Sequence, residues 1–373
     1  MNESLPRQRT GLWLKAGTWA LAFSAAVVSI GFVPDALALR LPDNYKVAPE
    51  VRNLSQRLLR LQRALKRDLG IDGLSIGGGS ARDLLDAVYL GKPLAMRDLD
   101  LVAVAGHALA PQEVQRVGQV LKSAMKDVGD VSPVESRRRG NPFLPEPQRY
   151  QYNAGFGIFL NAKDGLIYDL SLFHGPRALN LNGALNIDTI RIPLRRGRSL
   201  EQQIQHWRGR SYSDVVRHGL VVDAHGGYGG WQRHDLRVAH ATEVASKPVL
   251  WTIRLARSFG KAGYRRLPVE VLKLLRKSDQ KNSGRPAPQL IARYVARLLA
   301  DKDSAREWAM VKQAGVLQSH ASARAVLGKP NEWTLQRVAA RVLGNVSQVG
   351  RPMRAASAVK QAISSRAARE QRR

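Results

Sequence analysis

Leucines recur at helical spacing near the start of the globular part of the chain. Over 51–69 they lie three or four residues apart, with Arg and Lys between them, at Leu54, Leu58, Leu61, Leu65 and Leu69. Such spacing places all five on one face of a helix. The pattern therefore predicts an amphipathic helix whose outer face is basic.

Short apolar runs and turn residues predict a sheet after this helix. Strands are expected at 74–76, 99–105, 150–160, 166–173 and 187–194, and helices from about 81 and over 111–128. The strands 150–160 and 166–173 are separated by a short turn and predict a hairpin. Ser80 follows three glycines and is expected to cap the helix that begins near Ala81.

After Ser199 the pattern becomes helical. The clearer helices are predicted over 248–262, 268–277, 289–299 and 335–342, and the stretch DAHGGYGGWQRHD at 223–235 predicts a flexible loop because it holds four glycines. Strands in the first half and helices in the second indicate an α+β fold.

The charge balance points to a polyanionic partner. The chain of 373 residues has 59 Lys plus Arg against 30 Asp plus Glu, a formal net charge of +29. Nucleic acid and anionic lipid both fit, and arginines clustered in helical stretches favour a phosphate backbone. The tail Arg351–Arg373 alone has seven Lys or Arg and one Glu. The absence of cysteine excludes disulfides, thiolate metal sites and cysteine nucleophiles.

The first forty residues have a composition of their own. Basic residues up to Lys15 precede the apolar run Ala16–Val33, and Ala36-Leu37-Ala38 has the small-x-small pattern of a signal-peptidase site. Residues 1–40 are therefore expected to be an export signal or an uncleaved membrane anchor, since about 18 apolar residues are marginally long enough to span a bilayer. Localisation stays open, because the chemistry described next suits the cytoplasm.

Two aspartates with one residue between them indicate a metal site. Asp98 and Asp100 begin a predicted strand, where alternation puts both carboxylates on one side. Like charges this close repel, unless a divalent cation lies between them. Mg²⁺, or Mn²⁺, is the expected ion, because such ions bridge carboxylates to substrate phosphates. Asp169, in the apolar strand LIYDLSLF, is a candidate third catalytic carboxylate or a strand-edge acid paired with an arginine.

The glycines before this pair fit a phosphate. Backbone without side chains at Gly78 and Gly79, with the helix N-terminus at Ser80, can donate N–H groups to a triphosphate. Together, the glycine turn and the two carboxylates predict a site for a nucleotide and a metal ion.

These residues resemble a known family. The order Gly78-Gly79-Ser80-Ala81-Arg82-Asp83, Leu90-Gly91 and Asp98-Leu99-Asp100 looks like the G-G-x-x-R-D and D-x-D signatures of the class II tRNA nucleotidyltransferases and bacterial poly(A) polymerases. The segment TIRLARSFGKAGYRRLP at 252–268 is similar to the Arg-rich helix that opens the neck domain of that family. The likeness covers roughly residues 50–280.

The resemblance implies a domain plan and an activity. It implies a nucleotidyltransferase-type head with a mixed sheet at 41–198, a helical neck at 199–300 and a basic RNA-binding region and tail at 301–373. The implied reaction adds nucleotides from ATP, or CTP, to an RNA 3′ end. Nucleotide contacts are expected from Gly78, Gly79, Ser80, Arg82, Asp83, Arg177, Arg254 and Arg257. Arg254 and Arg257, three residues apart on one helix, either line the cleft or are solvated charges.

Two departures leave the specificity and the activity open. The stretch PRALNLNGAL at 176–185 keeps Arg177 but lacks the acid of the family pattern. KPVLW at 247–251 replaces the acidic-acidic-x-x-Arg set that selects the base, although Trp251 could stack on one. The alternatives are an RNA-binding scaffold of the same fold with impaired catalysis, and an exported basic envelope protein that binds polyanions.

Overall fold

A computed structural model describes residues 39–136 except 72, 95, 97 and 108, then residues 155–174, 184–281 and 286–347. The predicted export signal or anchor up to residue 38, Arg177 and the basic tail from Arg351 lie outside these ranges. Within them, none of the helices is both long enough and apolar enough to cross a bilayer.

A mixed sheet organises the first half of the chain. Its seven strands among the described residues are β1 Gly73–Gly77, β2 Asp98–Ala105, β3 Val128–Val131, β4 Glu135–Ser136, β5 Gly155–Ala162, β6 Ile167–His174 and β7 Arg191–Leu194. The order across the sheet is β3-β5-β6-β2-β1-β7, and β4 pairs with β5. The predicted hairpin is confirmed by the antiparallel pairing of β5 with β6.

The central pair of strands is the one parallel pair among the described strands. β2 runs parallel to β6 over its whole length, whereas the other described pairings are antiparallel. Parallel pairing aligns the first residues of both strands at one edge of the sheet. Polar residues near the start of β2 therefore lie level with polar residues near the start of β6.

Helices cover the sheet and continue the chain. In the described ranges they are α1 Pro49–Leu69, α2 Gly78–Leu90, α3 Pro111–Ala124, α4 Leu200–Gln205, α5 Tyr212–Arg217, α6 Gly227–Gln232, α7 Ala241–Ser246, α8 Pro248–Lys261, α9 Val269–Lys281, α10 Pro288–Leu299, α11 Ser304–Ala314, α12 Val316–Ser319, α13 Ala321–Leu327 and α14 Leu335–Ser347. This combination of a mixed sheet with a helical second half confirms the predicted α+β class.

Two apolar cores divide the molecule. The first extends from Leu41 to Tyr228 and includes the sheet, α1 to α3 and the buried residues of α4 and α5; we call this part the head. The second consists of Ala184, Leu185 and Ile187 with buried residues from Leu236 to Val342, most of them on α7 to α14; we call the part of the chain from Leu236 the body. Trp231 packs against both cores. The limits predicted from the sequence for head, neck and tail stay predictions.

Three local predictions are wrong. The segment 223–235 is not a loop throughout, because α6 forms within it and Gly227, Gly229 and Gly230 are buried. The helix predicted over 111–128 ends at Ala124 and is followed by β3. The strand predicted over 187–194 begins as a 3-10 turn at Asn186–Asp188, and β7 starts at Arg191.

Candidate active site

The first residues of β2 present two carboxylates on one face of the sheet. Leu99 and Leu101 are buried on the opposite face, while Asp98 is exposed and Asp100 half-buried. This alternation is the one expected for a strand with one covered face. The predicted placement of Asp98 and Asp100 on a common face agrees with this burial pattern.

Asp169 lies level with Asp100 across the parallel pair. The register joins Asp100 to Asp169 and Asp98 to Ile167. Facing residues in neighbouring strands point to the same side of a sheet. Asp169, which the sequence left as either a third carboxylate or an edge acid, is thus beside Asp100 on the same face.

The glycine turn reaches the same carboxylate from the other side. Gly78 adopts a left-handed conformation with φ of +55°. A Cβ atom at this position would lie 3.0 Å from Oδ2 of Asp100, and one at Gly79 would lie 3.8 Å from it. The turn needs glycine for both its conformation and its close approach to Asp100.

Ser80 has a different role from the predicted helix cap. The helix begins two residues earlier, at Gly78, with Gly77 as its N-cap and no side-chain cap. The Ser80 hydroxyl instead accepts a hydrogen bond from the Asp100 backbone N–H at 2.8 Å and donates to the Asp98 carbonyl at 3.2 Å. Ser80 therefore fixes the start of β2 against α2.

Arg82 is the cation of this site. It is half-buried, and Nη1 lies 3.8 Å from Oδ1 of Asp188. Its guanidinium carbon lies 4.9 Å from the ring centre of Trp231, within cation–π range. The buried Nε has no hydrogen-bond partner among the described residues. A buried N–H group that has no partner beside a glycine turn is suited to donate a hydrogen bond to an anionic ligand.

The electrostatics of the site disfavour a negative charge on Asp100. Removal from water raises the pKa of Asp100 to about 7, and the charges of Asp98, Asp169 and Asp188 add to this rise while Arg82 opposes it. Four carboxylates thus share one site. Partial burial also raises the pKa of Asp83 on α2, again with Arg82 opposing.

The donors at this site suit a hard divalent cation. Mg²⁺ prefers oxygen ligands such as carboxylates. A bound cation would also offset the repulsion between neighbouring carboxylates. Among the described residues, however, no group of three or more His, Asp or Glu side chains is arranged to hold a metal ion. The fit is therefore to an ion held by one or two carboxylates and completed by substrate phosphates, the usual arrangement for Mg²⁺.

Sequence reasoning missed a second layer behind Arg82. The buried carboxylate of Asp86 accepts hydrogen bonds from Tyr228 at 3.1 Å, Trp231 at 3.4 Å and Gln232 at 2.9 Å, and from Lys92 at 2.7 Å. These bonds attach α6 to α2 and hold the Trp231 ring that faces Arg82. Asp188 was missed as well. Each is an acid within an apolar run, which is the signal that could have identified both.

The arginines predicted on α8 have partners in the body. Arg257 makes an ion pair with Asp301, with Nε 2.6 Å from Oδ2, and Lys261 contacts the same carboxylate at 3.2 Å. Arg254 is exposed and its guanidinium lies 4.2 Å from the ring centre of Trp251. Trp251 itself is only 4% exposed, so it is not available to stack on a base. Nucleotide binding by Arg254 and Arg257 stays a prediction.

Comparison with known proteins gives a likeness in fold. No protein-family model matches the chain, and no curated protein matches its sequence. A solved structure of a CCA-adding enzyme with CTP is similar to it, with 17% identity and a TM-score of 0.45 over 73% of this chain and 53% of that one. A tRNA-processing enzyme is similar over 85% of this chain and 79% of that one, with 14% identity and a TM-score of 0.45.

The chain spans about half the length of the CCA-adding enzyme. The resemblance predicted from the glycine turn and the D-x-D pair is thus accompanied by a distant likeness in fold to CCA-adding and tRNA-processing enzymes. Identities this low limit the likeness to overall architecture. With TM-scores below 0.5, the activity of this chain has to be judged from its own residues.

Proposed function

We propose that this chain is a metal-dependent nucleotidyltransferase that adds nucleotides from ATP, or CTP, to the 3′ end of an RNA. One observation carries the proposal. Asp100 lies level with Asp169 across the parallel pair, and the glycine turn is so near its carboxylate that a Cβ at Gly78 would lie 3.0 Å from it. Carboxylates beside a turn of bare backbone are the two parts that phosphoryl transfer requires.

The triphosphate would bind at the start of α2. The first turn has no side-chain cap, and the Gly78 N–H already donates to the Ile190 carbonyl at 3.1 Å. The N–H groups that follow Gly78 would donate to phosphate oxygens, and the helix dipole favours negative charge there. Gly79 lets a phosphate approach the backbone. Arg82, with its unpartnered Nε, would add a charge-assisted hydrogen bond and orient the α-phosphate toward the carboxylates.

Asp98 and Asp100 would hold the divalent ion, with Asp169 beside them. When bound, such an ion neutralises phosphate charge and lowers the pKa of a coordinated hydroxyl. The RNA 3′-hydroxyl oxygen would form the new bond to the α-phosphorus as its proton passes to solvent, and the bond to the departing pyrophosphate would break. The protein would contribute by orienting these groups in a half-buried site where electrostatic interactions are strong.

RNA binding follows from charge rather than from base reading. The net charge of +29 supplies contacts to phosphates. In the stretch KPVLW, Val249, Leu250 and Trp251 are buried in the second core and Lys247 is the one polar side chain. The stretch therefore lacks the paired acceptor and donor side chains that would read a base edge. The choice between ATP and CTP is therefore assigned to no residue, and ATP is the first nucleotide to test.

An incorporation assay tests the proposal. Full-length protein is incubated with a short RNA and labelled ATP or CTP, with and without Mg²⁺ or Mn²⁺. We expect labelled RNA with the metal ion only, and we expect Asp100→Asn to reduce the rate by at least about a hundredfold. RNA binding should be unchanged in this variant, because one carboxylate contributes little to phosphate contacts.

The matched control is Asp130→Asn, at an exposed acid of the edge strand β3. It should incorporate nucleotide at the wild-type rate. Wild-type activity in Asp100→Asn would contradict the proposed mechanism.

A second candidate is a polyanion-binding protein of the same fold without catalysis. It is favoured by the engagement of Arg257 with Asp301 and by the burial of residues 249–251. In that case RNA binding at low salt would be present, and neither nucleotide would be incorporated with either ion. The same assay separates the two candidates.

A further inference from the structure

A group of basic side chains lies on the head at the loop between β7 and α4 and just after α4. Arg195, Arg198, His206 and Arg208 are exposed there, and Arg210 is half-exposed. We call these five residues the basic face. They lie outside the set of residues assigned to the candidate active site.

Several contacts hold the basic face together. The backbone N–H of Arg198 donates to the Arg195 carbonyl at 3.2 Å, and the Gln62 side chain of α1 donates to the Leu194 and Arg195 carbonyls. Removal from water, and then the charges of Arg210, Arg198 and Arg195, lower the pKa of His206. These arginines are therefore close enough to one another to act as one positive surface.

The charge of the basic face is not balanced locally. Among the described residues, no ion pair joins a carboxylate to Arg195, Arg198, Arg208 or Arg210, in contrast to Arg217 just beyond them, which pairs with Asp214 at 3.1 Å. Asp43, close to Gly209, is the acid that borders this surface. Unbalanced arginines on one exposed surface attract an anionic partner.

The chain enters the head at the basic face. The Tyr212 N–H donates to the Leu39 carbonyl at 2.9 Å, the Leu41 N–H to the Arg210 carbonyl at 3.1 Å and the Gly209 N–H to the Leu41 carbonyl at 2.8 Å. A β-bridge between Arg40 and Ser211 completes this attachment. Residues 39–41 are thus fixed next to Arg210.

This attachment limits where the apolar run Ala16–Val33 can be. Six peptide steps separate Val33 from Leu39, and a fully extended chain covers at most about 3.6 Å a step. The end of the apolar run therefore lies within roughly 20 Å of Leu39, whatever its conformation. A bilayer that receives the run has its headgroups within reach of the basic face.

We propose that the basic face lies on the surface of an anionic lipid bilayer, into which the apolar run Ala16–Val33 inserts. An apolar segment and a nearby basic patch are the two signals that together give stable membrane attachment. RNA would satisfy the same charges. Lipid is favoured because the apolar run is covalently attached within about 20 Å of Leu39, which is fixed next to Arg210, a coupling that RNA binding does not need.

Flotation with vesicles tests this proposal. The full chain is synthesised cell-free with vesicles of phosphatidylcholine alone, or with about one third phosphatidylglycerol. Anionic lipid should increase the bound fraction at low salt, and the variant Arg195→Gln/Arg198→Gln/Arg208→Gln/Arg210→Gln should lower the partition coefficient for anionic vesicles by at least about tenfold. Binding to neutral vesicles should not change. The backbone contacts of this region remain, because the substitutions alter side chains only.

A control variant with the same loss of charge distinguishes the basic face from bulk charge. Arg265, Arg266, Lys273 and Lys277 are exposed on the body, and their replacement by Gln should leave binding to anionic vesicles at the wild-type value. Equal losses in both variants would overturn the proposal, as would no loss in the basic-face variant. Weaker binding of a short RNA with vesicle binding unchanged would assign the basic face to nucleic acid instead.

Discussion

The head and the body use acidic residues in opposite ways. In the head, Asp98 and Asp169 lie beside the half-buried Asp100 and add to the electrostatic cost of charging it. In the body, Asp301 lies between Arg257 and Lys261 and is neutralised by them. A half-buried carboxylate with acidic neighbours, such as Asp100, points to a cation that arrives with the substrate. Acids that are already paired with basic side chains, such as Asp301, indicate a structural role.

The same contrast applies to the arginines. Arg82 in the head has a distant ion pair, a ring contact and a buried Nε without a partner among the described residues. Arg257 in the body has two hydrogen bonds to one carboxylate. Both belong to motifs that resemble the family, but the charge of Arg257 is already balanced by Asp301, whereas Arg82 keeps a buried Nε donor without a partner among the described residues.

The largest effect should come from removing one carboxylate in each region. Asp169→Asn should reduce nucleotide incorporation by about a hundredfold or more, because it removes negative charge beside Asp100. Asp301→Asn should leave incorporation by the folded protein unchanged and cost about 1–3 kcal/mol of stability, because Arg257 and Lys261 lose their partner.

These two variants are measured side by side, by single-turnover incorporation and by urea unfolding. Loss of activity in Asp301→Asn without loss of folded protein would place Arg257 in the nucleotide site. Full activity in Asp169→Asn would remove the third carboxylate from the mechanism.

A smaller effect is expected at the glycine turn. Gly78 and Gly91 both have positive φ, at the two ends of α2, but a Cβ at Gly91 meets no atom within 4 Å, whereas a Cβ at Gly78 meets Asp100. Replacing either glycine by alanine should cost about 1–2 kcal/mol of stability through backbone strain. Only Gly78→Ala should also lower incorporation, by about tenfold, because it displaces the Asp100 carboxylate.

Gly91→Ala therefore serves as the control for strain alone. Thermal unfolding and incorporation are compared in both variants. An equal loss of activity in the two would show that the turn acts through the stability of α2 and not through contact with Asp100.

Period-two alternation was enough to predict that Asp98 and Asp100 share a face. The position of Asp169 level with Asp100 could not be predicted, because it depends on the register of two strands far apart in sequence. Asp188 was missed for a similar reason. It belongs to a 3-10 turn within a stretch whose apolar residues predicted a strand.

The glycines of α6 show why the prediction of a loop was wrong. A Cβ at Gly227 would lie 2.3 Å from the Asn186 carbonyl oxygen, and one at Gly230 would lie 2.4 Å from the Asn186 side-chain nitrogen. These glycines allow two segments to pack closely and do not make the chain flexible. A single sequence does not distinguish the two uses, because the second requires knowledge of the packing partner.

Glu307 belongs to the body but does not follow the contrast between grouped acids in the head and paired acids in the body. It is fully buried, and neither carboxylate oxygen has a hydrogen-bond partner among the described residues. Gly260 on α8 permits this burial, because a Cβ there would lie 2.4 Å from Cγ of Glu307. Burial, with a contribution from Asp301, raises the pKa of Glu307 to about 8.

The smallest effect on nucleotide incorporation is expected at Glu307, which contributes a pH dependence of the free energy of unfolding. Its pKa in the folded chain is above that of an unfolded glutamate, about 4.5, so between about pH 4.5 and 8 the folded chain keeps a proton that the unfolded chain has released. Stability should therefore fall as pH rises through this window. Glu307→Gln should remove up to about 2.5 kcal/mol of the loss between about pH 5.5 and 7.5 in urea unfolding. The exposed Glu270→Gln should keep the wild-type slope, and a wild-type slope in Glu307→Gln would show that this carboxyl ionises normally in the folded body.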